Sequence, residues 1–127
     1  MPGKCKFKFY SQSDKECVYP PSIGSEYCIW HDPDVDKSED FVRVRLKSAI
    51  KETGGDLEGF LLRKSDLSDM DLRDVDLRDA DLRESDLSGA DCRGADFRGA
   101  KLNRVTAENT NFEGGNFMAA NLSDGNF

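Results

Sequence analysis

The sequence predicts a mainly β chain: a coil that turns a corner every five residues, preceded by a small metal-binding module and a short helix. Three observations carry this. An uninterrupted period of five runs from Ser65 to Phe127. Three cysteines and the only histidine are grouped in the first 31 residues. Between these regions lies one apolar stripe at helical spacing. The expected division is 1–35 for the metal module, 36–56 for a connecting and capping helix, and 57–127 for the coil.

The coil follows from the repeat. From Ser65 the chain reads SDLSD, MDLRD, VDLRD, ADLRE, SDLSG, ADCRG, ADFRG, AKLNR, VTAEN, TNFEG, GNFMA, ANLSD, GNF. A large apolar residue stands mid-unit, at Leu67, Leu72, Leu77, Leu82, Leu87, Cys92, Phe97, Leu102, Ala107, Phe112, Phe117, Leu122 and Phe127. Two residues earlier stands a small or slim residue, with Met70 the bulky exception. Phe60 and Leu62 fit the same frame and are expected to begin it. A period of five matches neither the 3.6 of a helix nor the 2.0 of a strand. Each unit is therefore one side of a coil, with a large and a small residue inward, since two large ones would overfill a narrow interior. The Asp/Asn, Arg/Ser and Asp/Gly positions suit a wet wall with tight corners.

This run resembles the pentapeptide-repeat family, whose consensus is A(D/N)LXX. The resemblance implies a right-handed, four-sided β-helix with about twenty residues per coil, here a little over three coils. Leu62, Leu82, Leu102 and Leu122 then form one column. Leu77, Phe97 and Phe117 form a second, Leu72, Cys92 and Phe112 a third, and Leu67, Leu87, Ala107 and Phe127 a fourth. The C-terminal interior should hold stacked rings. The same register places Asp66 over Asp86, Asp71 over Asp91 and Asp76 over Asp96, with Arg73, Arg78, Arg93 and Arg98 beside them to offset repulsion. Units AKLNR and VTAEN break the pattern at Lys101, Arg104, Thr106 and Ala107; the wall turns locally basic there, and Ala107 underfills an inward position.

The metal module rests on Cys5, Cys17, Cys28 and His31, spaced C-x11-C-x10-C-x2-H. A CxxH knuckle lets two ligands reach one ion, and the earlier cysteines complete a tetrahedron, so one structural Zn2+ per chain is expected. Residues 1–30 have too few apolar side chains for a core of their own and need such a staple. The segment CVYPPSIGSEYCIWH is similar to the C-x10-C-x2-H half of the plant WRC-type zinc motif, with Cys5 two residues farther away than in that motif. WRC-type motifs imply basic flanks and DNA. Here Asp32, Asp34, Asp36, Glu39 and Asp40 follow His31, which argues against nucleic acid. Lys4, Lys6 and Lys8, interleaved with Phe7, Phe9 and Tyr10, read as a solvated edge strand. Cys92 holds an inward position and is expected to be a buried apolar residue, not a ligand.

In the connector, Val42, Leu46, Ala49 and Ile50 share one helical stripe. Ser38 is the expected N-cap, Lys47 and Lys51 suit the negative end, and Gly54-Gly55 terminates the helix. A strand is the competing reading, because 41–46 partly alternates. The helix would cover the open first coil. The chain stops at Phe127, an inward position, so it is expected either to be a piece of a longer solenoid or to pair there with a second copy as a homodimer.

The 127 residues carry 18 basic and 25 acidic groups, and the acidic excess lies in the repeats. Such a surface repels phosphates over most of its length. No apolar run approaches the ~20 residues that span a bilayer, and no apolar segment follows the start as in a secretory signal. A cytoplasmic protein is expected. Catalysis is the weakest reading and no enzyme is expected: the carboxylates recur with the repeat, the only His belongs to the cysteine cluster, and a four-ligand zinc site is closed. The expected function is a non-catalytic zinc-binding scaffold for protein–protein interaction. The alternatives are a DNA mimic acting on a topoisomerase or another DNA-binding protein, and nucleic-acid binding through the zinc knuckle.

Overall fold

The computed structural model describes residues 4–9, 15–19, 26–38 and 40–127. Tyr10 and Glu39 lie outside the described residues, as do 20–25 within the knuckle loop.

Each five-residue unit makes one wall. Residues twenty apart pair as parallel bridges: Asp56 with Asp76 and on to Asp96 and Asn116, Leu61 with Asp81, Lys101 and Asn121. Asp66, Asp86, Thr106 and Asn126 form a third file, and Asp71, Asp91 and Asn111 a fourth. We number these four walls in that order. The pairing is a ladder of single-residue bridges instead of long strands, because a corner interrupts the backbone every five residues. The hydrogen bonds nevertheless run continuously between coils: Leu57 N donates to Asp76 O at 2.8 Å and Asp76 N to Gly55 O at 2.8 Å. The same pair of bonds recurs at Leu62/Asp81, Leu67/Asp86 and Leu72/Asp91. Leu62, Leu82, Leu102 and Leu122 therefore do form one vertical file.

The corners have one recipe. The carbonyl of each central residue accepts from the N–H three residues on, as from Phe60 to Leu57 at 3.1 Å and Ala100 to Phe97 at 3.0 Å. The residue two past each centre has positive φ, from Gly59 at 74° to Asp124 at 57°. That is the signature of a type II turn. The Asp/Asn position has its own cause. Its Oδ1 accepts from the backbone N–H two residues later, in Asp76–Arg78, Asp96–Arg98 and Asn116–Met118, so the side chain buttresses the bend.

The solenoid starts one unit earlier than Phe60 and Leu62 suggest: Asp56 makes the first bridge, and Leu57 is fully buried at the first central position. Inward residues are buried from Leu57 to Ala107, with Cys92 among them, its thiol pushed up to about 12 by burial. Below that, Phe112, Phe117 and Ala120 are half-buried. Phe97 and Phe117 stack at 4.9 Å with planes 7° apart, and Phe112 meets both edge-on.

The connector is a helix, α1, Asp40–Thr53, not a strand. Val42, Leu46 and Ala49 are buried in the same core as the first coil, so α1 plugs that end. Gly54 has φ 67°, and Gly55 N donates back to Ile50 O at 2.8 Å, a Schellman closure. Ser38 is not the N-cap. Its hydroxyl donates to Asp36 Oδ1 at 2.6 Å, and its own N–H donates to the same oxygen, two residues before the helix begins. The local Asp36 turn outcompetes capping. Arg43 reaches from α1 to Asp66 O at 2.8 Å and Ser68 O at 2.9 Å, covering carbonyls of the third wall.

Candidate metal centre

The four residues singled out by spacing come together. One ligating atom from each of Cys5, Cys17, Cys28 and His31 lies within 4.8 Å of all the others, and all four residues are buried. Residues 4–9 are tied to the knuckle by Lys6 N donating to Glu26 O at 3.0 Å, and His31 N closes the CxxH turn on Cys28 O at 3.0 Å. The separations are 3.7 Å for Cys17 Sγ to Cys28 Sγ, 3.3 Å for Cys28 Sγ to His31 Nδ1 and 3.5 Å for Cys5 Sγ to His31 Nδ1. A tetrahedron built on Zn–S and Zn–N bond lengths has edges of about 3.8 Å between sulfurs and about 3.5 Å from sulfur to nitrogen. The donor set fits such an ion. The sulfurs are too far apart for a disulfide, and all three cysteines are free.

Electrostatics agree. The Cys17–Cys28 contact couples the two thiols: it and burial push Cys28 up, while it pulls Cys17 below its ordinary value. The chemistry of the set is ligation, not nucleophilic attack.

The module is fastened to the solenoid. Phe7 stacks on the His31 ring at 3.9 Å, 8° from parallel, and its edge fills the space beside Gly59, where a Cβ would lie 2.6 Å from the ring. Trp30 stacks on Phe60 at 4.9 Å. Trp30 O accepts from Leu61 N at 2.6 Å, taking the place of the carbonyl that an earlier coil would supply. Lys15 Nζ donates to Glu58 Oε1 at 2.8 Å and lies 2.9 Å from Asp56 Oδ2.

Spacing missed that last contact. Asp56, Glu58 and Asp76 also bring carboxylate oxygens within 4.8 Å of one another. Their counter-cations come from the protein: Lys15, and Arg78 at 3.4 Å from Glu58 and 2.7 Å from Asp76. A cleft of about 400 Å³ between module and coil, lined by Phe9, Tyr19, His31 and Phe60 among others, also went unread. In it, the Tyr19 hydroxyl and His31 Nε2 have no hydrogen-bond partner among the described residues. The signal for Lys15 and Glu58 was available only as opposite charges in two separate segments.

The Asp columns stand as expected at 66/86, 71/91 and 76/96; arginines hold the last two, while Asp66 meets Arg43 of α1 and Asp86 accepts from Ser88 N. Arg73 binds Asp71 with Nε at 2.9 Å and Nη2 at 2.8 Å, and lies 3.8 Å from Asp91 in the next coil. Arg78 and Arg98 repeat this on Asp76 and Asp96.

A four-walled repeat solenoid with a plugged first coil and a buried Cys3His cluster beside it defines the class. The pentapeptide repeats family matches in eight copies, across residues 53–89, 76–114 and 85–124. The chain belongs to the pentapeptide-repeat family, whose members fold as right-handed β-helices. A pentapeptide repeat protein from the cyanobacterium Cyanothece is similar in structure at TM-score 0.50 and 23% identity, over 57% of this chain and 53% of that one. A pentapeptide repeat protein from the Arabidopsis thaliana thylakoid lumen is 34% identical over 55% of this chain and 52% of that one, at TM-score 0.47. The chain thus spans about half the length of these solved structures. No curated protein matches the chain. Among the described residues no helix is long and apolar enough to cross a membrane.

Proposed function

We propose that this protein is a non-catalytic pentapeptide-repeat scaffold for protein–protein interaction, with one structural Zn2+ held by Cys5, Cys17, Cys28 and His31. The observation that carries the metal is the near-tetrahedral spacing of Sγ and Nδ1 atoms at 3.3–3.7 Å inside a buried cluster. Four protein donors leave no open position for substrate, so the ion's task is folding: it holds 4–9, 15–19 and 26–31 together where they cap the first coil. Membership of a family of structural and interaction proteins supports the scaffold reading. Three clustered thiols serve as ligands in a reducing compartment, which favours the cytoplasm.

The DNA-mimic reading has less support. Arg73, Arg78, Arg93 and Arg98 each neutralise the Asp beside them, and the Asp position is set by the turn it buttresses. Nucleic-acid binding through the knuckle has less still, because Lys4 and Lys6 are paired to Glu16 and Glu26. Pairing of two copies through the C-terminal end is a proposal supported by Leu122 and Phe127, which are 41% and 53% exposed.

Metal analysis of protein purified without added zinc tests the centre. About one zinc per chain is expected, falling well below that in Cys28→Ser. A metal-free wild type that keeps its fold overturns the zinc assignment. Pull-down with wild type and Cys28→Ser then tests the scaffold. A partner retained through the solenoid supports it, and no partner under any condition removes it.

A further inference from the structure

The second wall differs from the other three. Over its first three units, Arg63, Lys64, Arg83, Lys101 and Arg104 face only Asp81 and Glu84. Summed over the corresponding three units, the first, third and fourth walls each carry more acidic than basic groups, and the third has no cation of its own. The few carboxylates present are already shared. Arg83 holds Asp81 with Nε at 2.8 Å and Nη2 at 2.6 Å. Glu84 stands 3.7–4.0 Å from Arg63, Lys64 and Arg104 at once. Three cations on one carboxylate leave positive charge over, and these three side chains are 53%, 63% and 69% exposed.

The wall also has relief. The loop 33–37 overhangs its upper edge, and three adjoining clefts of about 220, 270 and 260 Å³ share Arg63 in their linings. The middle one lies between Pro33, Val35 and Lys37 of the loop and Arg63 and Arg83 of the wall. Lys37 is buried, and among the described residues its ammonium donates to the carbonyls of Asp32 and Val35, at 3.1 and 3.4 Å, with Asp81 in the lining of the same cleft. Asp34 and Asp36 line the uppermost cleft, so the anion-favouring point lies lower, between Lys37, Arg63 and Arg83.

We infer that the second wall, from the 33–37 overhang to Arg104, is a docking groove for an extended acidic peptide segment. This rests on the scaffold reading and names its partner's chemistry. The wall is one five-residue unit wide, flanked by acidic first and third walls. A narrow polyanion gains the groove's cations, whereas a duplex overhanging both flanks meets repulsion within a Debye length of about 8–10 Å. The guanidinium forks of Arg63 and Arg104, which stand 4.0 and 3.7 Å from Glu84 and so beyond hydrogen-bond distance, suit carboxylate and phosphate alike.

The test uses the full zinc-loaded chain with three fluorescent probes: a glutamate-rich peptide, its phosphoserine counterpart and a single-stranded oligonucleotide of equal length. Saturable peptide binding that weakens with salt is expected. Arg63→Glu with Arg104→Glu should weaken it at least about tenfold, while Lys47→Glu with Lys51→Glu on α1, the same charge change elsewhere, stays within about twofold. The peptide form that binds tighter identifies the source of the anion. Amide shifts of the wild type on adding peptide should fall on 34–37, 61–65, 81–84 and 101–104, which keeps the test independent of any variant's fold. No saturation at millimolar peptide, equal loss in the α1 control, shifts elsewhere or tighter oligonucleotide binding overturns the groove. If metal content and a captured protein partner are unchanged in that case, the scaffold reading survives it.

Discussion

Lys15 Nζ lies 2.8 Å from Glu58 Oε1, and the Glu58 side chain is only 1% exposed, so the metal module and the first coil share a buried ion pair. Burial pushes the Lys15 ammonium toward neutrality, but the hydrogen bonds it donates to Glu58 and Asp56 outweigh it and the net shift is upward. The pair therefore holds its charges in place. Lys15→Met takes one cation away from Glu58 and Asp56 and leaves Arg78 at 3.4 Å from Glu58. We expect a loss of about 2–3 kcal/mol in urea unfolding, most of it recovered in the double variant Lys15→Met with Glu58→Gln. A single variant as stable as wild type would show that the latch contributes nothing.

The zinc proposal makes a local prediction at Leu61. Its N–H donates to Trp30 O, and Trp30 is positioned by its neighbours Cys28 and His31. Stripping the metal with a chelator should raise hydrogen exchange at Leu61 by at least about tenfold, with Leu82 and Leu102, held between coils, changing little. Equal protection at Leu61 with and without metal counts against the module as a metal-dependent cap.

The columns were legible because the chain never inserts or drops a residue between Ser65 and Phe127, so register follows from counting. The cluster was legible because Cys28 and His31 fix a knuckle by local spacing alone. Other features were not. The left-handed corners at Lys64, Asp69, Asp74 and Glu84 are occupied by residues with no strong preference for positive φ, and the turn hydrogen bonds override that reluctance. Gly55-Asp56-Leu57-Glu58-Gly59 is a repeat unit with Gly55 as its small inward residue, but the next small position is taken by the bulky Phe60, which disguised the true start. Ser38 reads as a cap in sequence, and nothing in one dimension shows Asp36 taking its hydroxyl.

The acid ladder sets a pH dependence. Hydrogen bonding from Arg73 holds Asp71 at about 2, and the partner Arg likewise lowers Asp91 and Asp96. Asp81 is also lowered: burial, its largest single influence, pushes it up, but the bonds from Arg83 prevail. For carboxylates lowered on folding, the stabilising contribution is fully present above the unfolded value near 4 and is lost as pH falls through the folded value. Burial raises Asp79 and gives the opposite sign there. Melting temperature should be flat from pH 7 to about 5 and fall between about 4 and 2, with added salt shrinking the part of the fall that comes from the exposed pair Arg73–Asp71 and the half-exposed Arg93–Asp91. A melting temperature that rises on acidification through this window would mean that repulsion between stacked Asp residues outweighs their pairing.

Asp79 and Gly99 show why glycine and acid alternate at the corners. Asp79 Oδ1 occupies the space where a Cβ on Gly99 would stand, and the same holds for Asp69 over Gly89 and Asp74 over Gly94. A side chain at Gly99 must displace that carboxylate and also adopt φ 71°, which costs an L-residue about 1–2 kcal/mol. Gly99→Ala should therefore destabilise by at least about 2 kcal/mol in urea unfolding. Ala119, in the next coil of the same column, already bears the cost at φ 60° on an exposed corner. Ala119→Gly relieves that strain but loosens the unfolded chain, so a net gain of about 0.5–1 kcal/mol is expected. Two substitutions in one column should thus move stability in opposite directions. If both destabilise equally, positive φ is not the deciding term at these corners, and the Asp–Gly packing alone governs which residue each corner accepts.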